Sequence, residues 1–84
     1  MYTVYALYSA KLDGIYIGYT NNLIRRYYQH ISGMSKYTSR SDDWAVAYCE
    51  YYNSKSEAMK AEKSLKSAKG REKVWKVVRD NFSS

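Results

Sequence analysis

Two short runs of strand-forming residues near the amino terminus constrain the fold more than any other feature of the chain. Residues 2–8 and 14–20 are rich in tyrosine and β-branched side chains, and Asp13-Gly14 is a turn signal between them. The sequence therefore predicts an antiparallel hairpin whose loop is the four residues 10–13.

The register of this hairpin places Tyr5 opposite Gly18, with Tyr16 and Thr20 as diagonal neighbours on the same face. The missing side chain at Gly18 then leaves a gap beside Tyr5, unless Gly18 marks a bulge or the end of the strand. A shift of one residue would move Tyr5 and Tyr16 to opposite faces. The prediction that they share a face therefore depends on this register.

A helix is predicted after the hairpin, with its cap within residues 20–22 and its stop at Gly33. Its buried stripe consists of Leu23, Tyr27 and Ile31. Arg26 and His30 are four residues apart, so they share a neighbouring helix face and can point at one target. Taken singly, each is more often a solvated or structural residue.

The middle of the chain combines a polar segment with a third strand. Residues 32–43 are rich in serine and predict an unstructured loop that is either functional or a flexible connector. Its candidates for contact with a phosphate backbone are Lys36, Tyr37 and Arg40. Residues 44–52 are apolar on both faces, which predicts a central or covered strand with Cys49 in the core.

Two helices are predicted in the last third. A capping box at residues 54–57 opens a helix that runs to Gly70, and a final helix is anchored by Trp75. The inward residues of the two helices are Ala58, Ala61, Leu65 and Ala68, followed by Val74, Val77 and Val78. Glu62 lies at the margin of the first apolar face, where a carboxylate escapes to solvent, pairs with Lys66 or serves a function.

These elements predict an α+β fold: a three-stranded, mostly antiparallel sheet flanked by about three helices, in the order strand-strand-helix-strand-helix-helix. We expect one domain over residues 1–84. The chain has one cysteine, no signal-peptide pattern and no long apolar run, so we expect an intracellular protein without a membrane segment.

The positive charge is concentrated towards the carboxyl terminus. Residues 54–79 contain nine basic and three acidic side chains, a difference that equals the whole net charge of +6. Such a surface suits a polyanion such as nucleic acid through counterion release and steering, or it is a solvated helix surface that maintains solubility.

The motifs in the hairpin and the first helix resemble those of the GIY-YIG endonuclease superfamily over nearly the full length of the chain. The similarity is to its small stand-alone members, both the excision-repair-like and the uncharacterised ones. The first motif is degenerate as residues 3–5, and after ten intervening residues the second is intact as residues 16–18. Residues 14–16 spell the family name, but taking them as the first motif leaves no second strand between the motifs. Tyr5 therefore corresponds to the first family tyrosine.

The resemblance implies a metal-dependent DNA endonuclease that hydrolyses phosphodiester bonds, in a pathway of DNA repair or recombination. The implied catalytic residues are Tyr5, Tyr16, Arg26, His30 and Glu62. In that assignment Tyr5 orients or deprotonates water, Arg26 binds the phosphate, and Glu62 holds one Mg²⁺ or Mn²⁺ ion. Further residues expected to contact the substrate are Gly18, Thr20, Lys36, Arg40, Lys66 and Lys69. We expect DNA as the partner and a monomer or weak dimer.

The sequence departs from the family pattern at two places. Many members have an asparagine after the glutamate, for which Asn81 is a poor counterpart, and Tyr19 stands where some members have a lysine. The missing asparagine motivates an alternative, a non-catalytic nucleic-acid-binding module of the same fold. A protein-interaction domain would account for the eleven tyrosines but not for Glu62.

Overall fold

The computed structural model describes residues 1–82. The elements are β1 (Tyr2–Ser9), β2 (Gly14–Thr20), α1 (Leu23–Ile31), a short 3₁₀ helix (Thr38–Arg40), β3 (Ala45–Tyr52), α2 (Lys55–Leu65) and α3 (Ala68–Phe82). Their order and the antiparallel pairing of the strands confirm the predicted α+β fold. Within the described residues, no helix combines the length and apolar character needed to cross a bilayer.

β1 is the central strand of a sheet with the order β2-β1-β3. The ladder between β1 and β2 is continuous and places Tyr5 opposite Gly18, as the hairpin register predicts. It leaves residues 10–13 as the loop, and Asp13 adopts a positive φ of 49° there. Aspartate tolerates this left-handed conformation better than most residues, which explains its place in the turn.

The alternation of side chains along β1 gives the sheet two different faces. On one face, which we call the aliphatic face, Val4 and Ala6 meet the isoleucines of β2 and the inner sides of α2 and α3. On the other, which we call the polar face, Tyr5 and Leu7 pack with Trp44 and the inner side of α1. Buried Thr3 and Ser9 share this second face because they alternate with Val4 and Ala6.

The prediction that the third strand is central or covered is wrong. β3 is an edge strand, bonded to β1 alone among the described strands, and several of its side chains are exposed. Cys49, predicted in the core, is exposed as well. The apolar run misleads because Tyr48 and Tyr52 pack against the aliphatic-face core while Tyr51 and Cys49 point away from it towards solvent.

The ends of α1 agree with the sequence signals. Asn22 is the cap, and its side chain accepts a hydrogen bond from the backbone N–H of Arg25 at 3.1 Å. Gly33, just beyond the helix, has a φ of +81°, the left-handed conformation that ends many helices. The predicted stripe does pack inward, onto Tyr5, Leu7 and Trp44, but the most deeply buried residue of the helix is His30.

The prediction that α2 runs to Gly70 is wrong. α2 begins at its predicted cap, Ser54, but ends at Leu65, and Gly70 lies in the first turn of α3. The hydroxyl of Ser67 accepts a hydrogen bond from the Gly70 N–H at 3.2 Å and so starts the new helix. A Cβ at position 70 would stand 2.3 Å from the Leu65 carbonyl oxygen, so the glycine permits the tight approach of the two helices.

This early break also corrects the inward stripe. Ala68 is exposed and belongs to α3, whereas Ala58 and Leu65 are buried as predicted. In α3, Val74 and Val78 are buried. Trp75 packs against the same core and meets the ring of Tyr8 edge-on at 5.9 Å between centroids, which is consistent with its predicted role as the anchor of the last helix.

Candidate active site

A chain of polar side chains runs through the interior on the polar face. The hydroxyl of Tyr5 lies 2.8 Å from Nε2 of His30, and Nδ1 of the same ring lies 2.7 Å from the hydroxyl of Thr38. The three residues are at most 1% exposed. Buried polar groups are costly unless they are hydrogen-bonded, and here each one has a partner.

Three separate elements supply this chain. Tyr5 stands on the central strand, His30 on the last full turn of α1, and Thr38 on the 3₁₀ helix of the following loop. Trp44 fixes the loop, because its indole N–H donates to the Thr38 carbonyl at 2.8 Å. The Trp44 carbonyl in turn accepts a hydrogen bond of 2.5 Å from the hydroxyl of Tyr27 on α1. The loop of residues 32–43 is therefore not the unstructured segment that its composition predicts.

The electrostatic neighbours of Tyr5 are the charged residues of the predicted site. Burial and the nearby Tyr16 phenol raise the pKa of Tyr5 to about 12. A hydrogen bond and the positive charge of Arg26 act to lower that pKa, whereas the negative charge of Glu62 raises it. Arg26 and Glu62 therefore lie within electrostatic reach of the same phenol.

His30 is neutral in this environment. Burial, and secondarily the positive charge of Arg26, lowers the pKa of its imidazole to about 4. A neutral imidazole has one N–H and one bare nitrogen, so the ring can accept a proton from one partner while it donates to the other.

Gly18 is required by the close approach of two tyrosines. A Cβ at this position would stand 2.8 Å from the Tyr5 hydroxyl oxygen and 3.2 Å from Cε1 of Tyr16. The ladder passes through Gly18 without a shift, so neither a bulge nor a strand end explains the glycine. The predicted gap beside Tyr5 is therefore not open, because the Tyr5 hydroxyl and the Tyr16 ring occupy the space that a side chain at position 18 would take.

Next to Gly18, the ring of Tyr16 forms a continuous row of aromatic contacts, the aromatic wall, with the rings around it. Its ring centroid is 4.8 Å from that of His30 and 6.4 Å from that of Tyr5. On its outer side it meets the half-exposed ring of Tyr37 at 5.6 Å. The wall therefore extends from the interior to the surface.

Arg26 and Glu62 provide one charge of each sign. The guanidinium of Arg26 donates to the Gln29 side-chain oxygen at 3.0 Å, which orients it along α1. Glu62 comes from α2, its side chain is 20% exposed, and it forms an ion pair of 3.6 Å with Lys66. The pairing with Lys66 is one of the alternatives left open by the sequence, and it coexists with the nearness to Tyr5.

The other residues predicted to contact the substrate do not form one cluster. Thr20 has a structural part, because its hydroxyl bonds the backbone of Asn22 at the start of α1. Lys36 is exposed, and the guanidinium of Arg40 lies 5.8 Å from the centre of the Tyr37 ring. Lys69 instead lines a surface cavity of about 430 Å³ between β3 and the helices, with Tyr48, Tyr52 and Lys73 among its neighbours.

The donor set at Glu62 is small. Among residues 1–82 no group of three histidine, cysteine, aspartate or glutamate side chains is arranged to hold a metal ion. One partly buried carboxylate is compatible with Mg²⁺, which keeps several waters and often takes only one or two protein carboxylates together with substrate phosphate.

Two residues of the site were missed by the sequence reasoning. Thr38 was one hydroxyl among many in a serine-rich segment, and Trp44 was assigned only to a strand. The signal available in the sequence was the isolated large aromatic at the end of the loop, since a tryptophan N–H buried there needs an acceptor. Nothing local indicated that the acceptor would be the residue that bonds His30.

Comparison with known proteins identifies the family of the chain. The family model for the GIY-YIG catalytic domain matches residues 1–76 of the 84-residue chain. Neither a curated protein nor a solved structure gives a significant match. The matched range contains both tyrosine motifs, the arginine, the histidine and the glutamate, and on that basis the chain belongs to the GIY-YIG family.

Proposed function

We propose that this protein is a metal-dependent DNA endonuclease that hydrolyses phosphodiester bonds. The main observation behind the proposal is the environment of the Tyr5 hydroxyl. A neutral imidazole lies 2.8 Å from it, and the charges of Arg26 and Glu62 act on it. Hydrolysis of a phosphodiester needs a positioned water, stabilisation of the charge on the phosphorus centre and help for the leaving oxygen. The family match supports a nuclease-type domain.

Each side chain has a role that follows from its environment. Arg26 binds the scissile phosphate, since a guanidinium presents two parallel donors to two phosphate oxygens. Tyr5 orients the attacking water and takes its proton, and Tyr16 limits the position of both. The raised pKa of Tyr5 keeps the phenol protonated at neutral pH, so Tyr5 needs an acceptor for its own proton, which His30 provides.

Glu62 would hold the metal ion. When bound, Mg²⁺ supplies positive charge for the phosphate and the leaving 3′ oxygen. Pairing of the Glu62 charge with a cation would remove one cause of the raised Tyr5 pKa and so favour release of the phenol proton to the imidazole.

The basic helices give the DNA a path to this site. Nine basic side chains lie within residues 54–79, and most of them project from α2 and α3 into solvent. We expect their contacts to go to phosphates, which positions the strand without reading its sequence. Binding should therefore weaken steeply as the salt concentration rises.

The test is cleavage of supercoiled plasmid and of single-stranded DNA by purified protein with Mg²⁺ or Mn²⁺. Glu62→Gln removes the proposed metal ligand while keeping the shape of the side chain, and it should abolish cleavage. Glu72→Gln removes one equal charge from an exposed position of α3 and should leave cleavage unchanged. Cleavage that persists in Glu62→Gln would show that the activity comes from elsewhere.

A non-catalytic nucleic-acid-binding module is the second candidate, and the basic surface of residues 54–79 favours it independently of the site. It predicts salt-dependent binding in a gel shift and no cleavage with any divalent metal. A metal-dependent nick that disappears in Glu62→Gln would exclude it.

A further inference from the structure

His30 is the only histidine of the chain, and both of its ring nitrogens are engaged in the interior. Nε2 faces the Tyr5 hydroxyl and Nδ1 faces the Thr38 hydroxyl. Because both partners are hydroxyl groups, each able to donate or accept, two proton arrangements satisfy these distances. They differ in which nitrogen of the imidazole carries the hydrogen.

In the first arrangement Nδ1–H donates to Thr38, and the bare Nε2 accepts the hydrogen of Tyr5. In the second, the Thr38 hydroxyl donates to Nδ1, and Nε2–H donates to the Tyr5 oxygen. Only in the first can His30 receive a proton from Tyr5, because in the second the nitrogen facing the phenol is already protonated. The tautomer therefore determines whether the pair can relay a proton at all.

The position of Arg26 separates the two arrangements. The positive charge of Arg26 acts on the Tyr5 phenol, so it attracts the negative, oxygen end of the O–H group. The hydrogen of Tyr5 is then directed away from Arg26, and Nε2 of His30 at 2.8 Å is placed to accept it. The hydrogen of the imidazole then belongs on Nδ1, 2.7 Å from the oxygen of Thr38.

The placement of Thr38 supports a positioning role. Its side chain is fully buried, and its carbonyl accepts the indole N–H of Trp44, so the hydroxyl is held by the backbone of a fixed 3₁₀ helix. Hydrogen bonds to the second nitrogen of a working imidazole commonly set its tautomer and ring orientation. Thr38 meets this description, and because it is fully buried it has no surface to offer a substrate.

We infer that Thr38 is a positioning residue that holds His30 in the Nδ1-protonated tautomer, with the bare Nε2 directed at Tyr5. The catalytic consequence rests on the proposed function. As the water oxygen forms its bond to phosphorus, its proton passes to the Tyr5 oxygen, and the original phenol proton passes to Nε2. The bond to the 3′ oxygen breaks with its electron pair, and that oxygen takes a proton from solvent. The imidazolium returns its proton through Tyr5 to solvent.

The tautomer is measured directly by NMR of ¹⁵N-labelled protein without DNA or metal. With a single histidine, the two ring nitrogens give one set of signals, and their shifts and couplings identify which nitrogen is protonated. We expect a protonated Nδ1 and an unprotonated Nε2 in the wild type. A protonated Nε2 overturns the inference, whatever the outcome of the cleavage assay.

Three variants test the role of the hydroxyl. Thr38→Val keeps the shape of the side chain and removes the hydroxyl, so the tautomer should become mixed or reverse, and the cleavage rate should fall at least tenfold. Thr38→Ser keeps the hydroxyl and should restore both. Ser39→Ala removes the neighbouring hydroxyl of the same 3₁₀ helix, which bonds the Lys36 carbonyl, and should change neither.

The outcomes separate this inference from the proposed function. An unchanged tautomer in Thr38→Val, in protein whose amide spectrum shows the native fold, would overturn the role of Thr38. The expected tautomer changes in a protein that cleaves no DNA would support the positioning role and refute the nuclease proposal. If Thr38→Val does not fold, the wild-type tautomer and the Thr38→Ser comparison still test the assignment.

Discussion

The two faces of the sheet are built from one strand but differ in what they bury. On the aliphatic face, the buried residues are all apolar and come from β1, β2, α2 and α3. On the polar face, a small apolar cluster surrounds hydroxyl and imidazole groups, and the four buried polar residues are Thr3, Ser9, His30 and Thr38. A small domain buries only a limited apolar surface. Here most of that surface lies on the aliphatic face, whereas the polar face contains an ordered network of hydrogen bonds.

The polar face is stable only because its groups are satisfied. Within residues 1–82, no buried side-chain nitrogen or oxygen lacks a hydrogen-bond partner. Ser9, for example, donates to the carboxylate of Asp43 at 2.5 Å and accepts from the backbone N–H of Leu12. Polar groups bonded in this way fix one arrangement of the loop and helix, whereas apolar contacts tolerate several.

The largest expected effect on the polar face is that of Tyr5→Phe. The change removes the hydroxyl that bonds His30 and faces Arg26, so we expect cleavage to fall roughly 10²- to 10⁴-fold, or ~3–5 kcal/mol in the barrier. The free energy of unfolding should fall by only about 1–3 kcal/mol, the cost of leaving one buried partner unsatisfied. Rates of plasmid nicking and urea denaturation measure the two quantities.

Tyr8→Phe is the matched control for that experiment. Tyr8 lies on the same strand, but its ring packs against Trp75 on the aliphatic face. It should leave the rate of nicking unchanged. A large loss of activity in Tyr8→Phe would contradict the division of labour between the faces.

Ile15→Ala tests the aliphatic face. Ile15 is buried opposite Tyr8, so its truncation leaves a cavity and should lower the free energy of unfolding by about 2–4 kcal/mol. Cleavage per folded molecule should be close to that of the wild type, because the change leaves the neighbours of Tyr5 in place. Urea denaturation combined with nicking at low temperature checks both parts. A loss of activity greater than the loss of folded protein would show that the two faces are coupled.

Protonation of His30 should destabilise the fold on acidification. The folded-state pKa of about 4 lies below the ordinary value of 6.5, so the folded state disfavours the charged imidazole. This contribution to stability is present above pH 6.5 and is lost as the pH falls towards 4. We expect a loss on the order of 2 kcal/mol, a figure that allows for screening of the imidazolium charge by solvent.

The measurement is urea denaturation of the wild type and His30→Gln across this pH window. The glutamine does not titrate, so the difference between the two proteins isolates the contribution of the imidazole from that of the carboxylates. Parallel pH dependence of the two proteins would mean that His30 titrates normally and is not buried as described.

Local signals in the sequence predicted the parts of this structure that depend on neighbours in the chain. The hairpin register follows from the loop length and the turn at Asp13, and the ends of α1 follow from Asn22 and Gly33. The nearness of Tyr5 and Tyr16 is a consequence of that register. It could therefore be predicted before any contact was known.

The parts that failed depend on contacts between distant segments. No local pattern states that β1, rather than β3, lies in the middle of the sheet, since each strand contains three tyrosines. The hydrogen bond between Thr38 and His30 depends on the position of the loop, which is fixed by the hydrogen bond from the Trp44 indole to the Thr38 carbonyl. The break before Gly70 depends on the space between two packed helices, which the sequence does not display.

The smallest expected effect tests the corrected position of β3. Cys49 lies opposite Tyr5 in the ladder, yet its side chain is exposed. Cys49→Ser should therefore change the free energy of unfolding by less than about 0.5 kcal/mol, as expected for an exposed site. A buried cysteine replaced by serine would instead leave a hydroxyl without water, at a cost of roughly 1–3 kcal/mol. Urea denaturation distinguishes the two values, and rapid labelling of the native protein by a thiol reagent gives an independent measure of the exposure of Cys49.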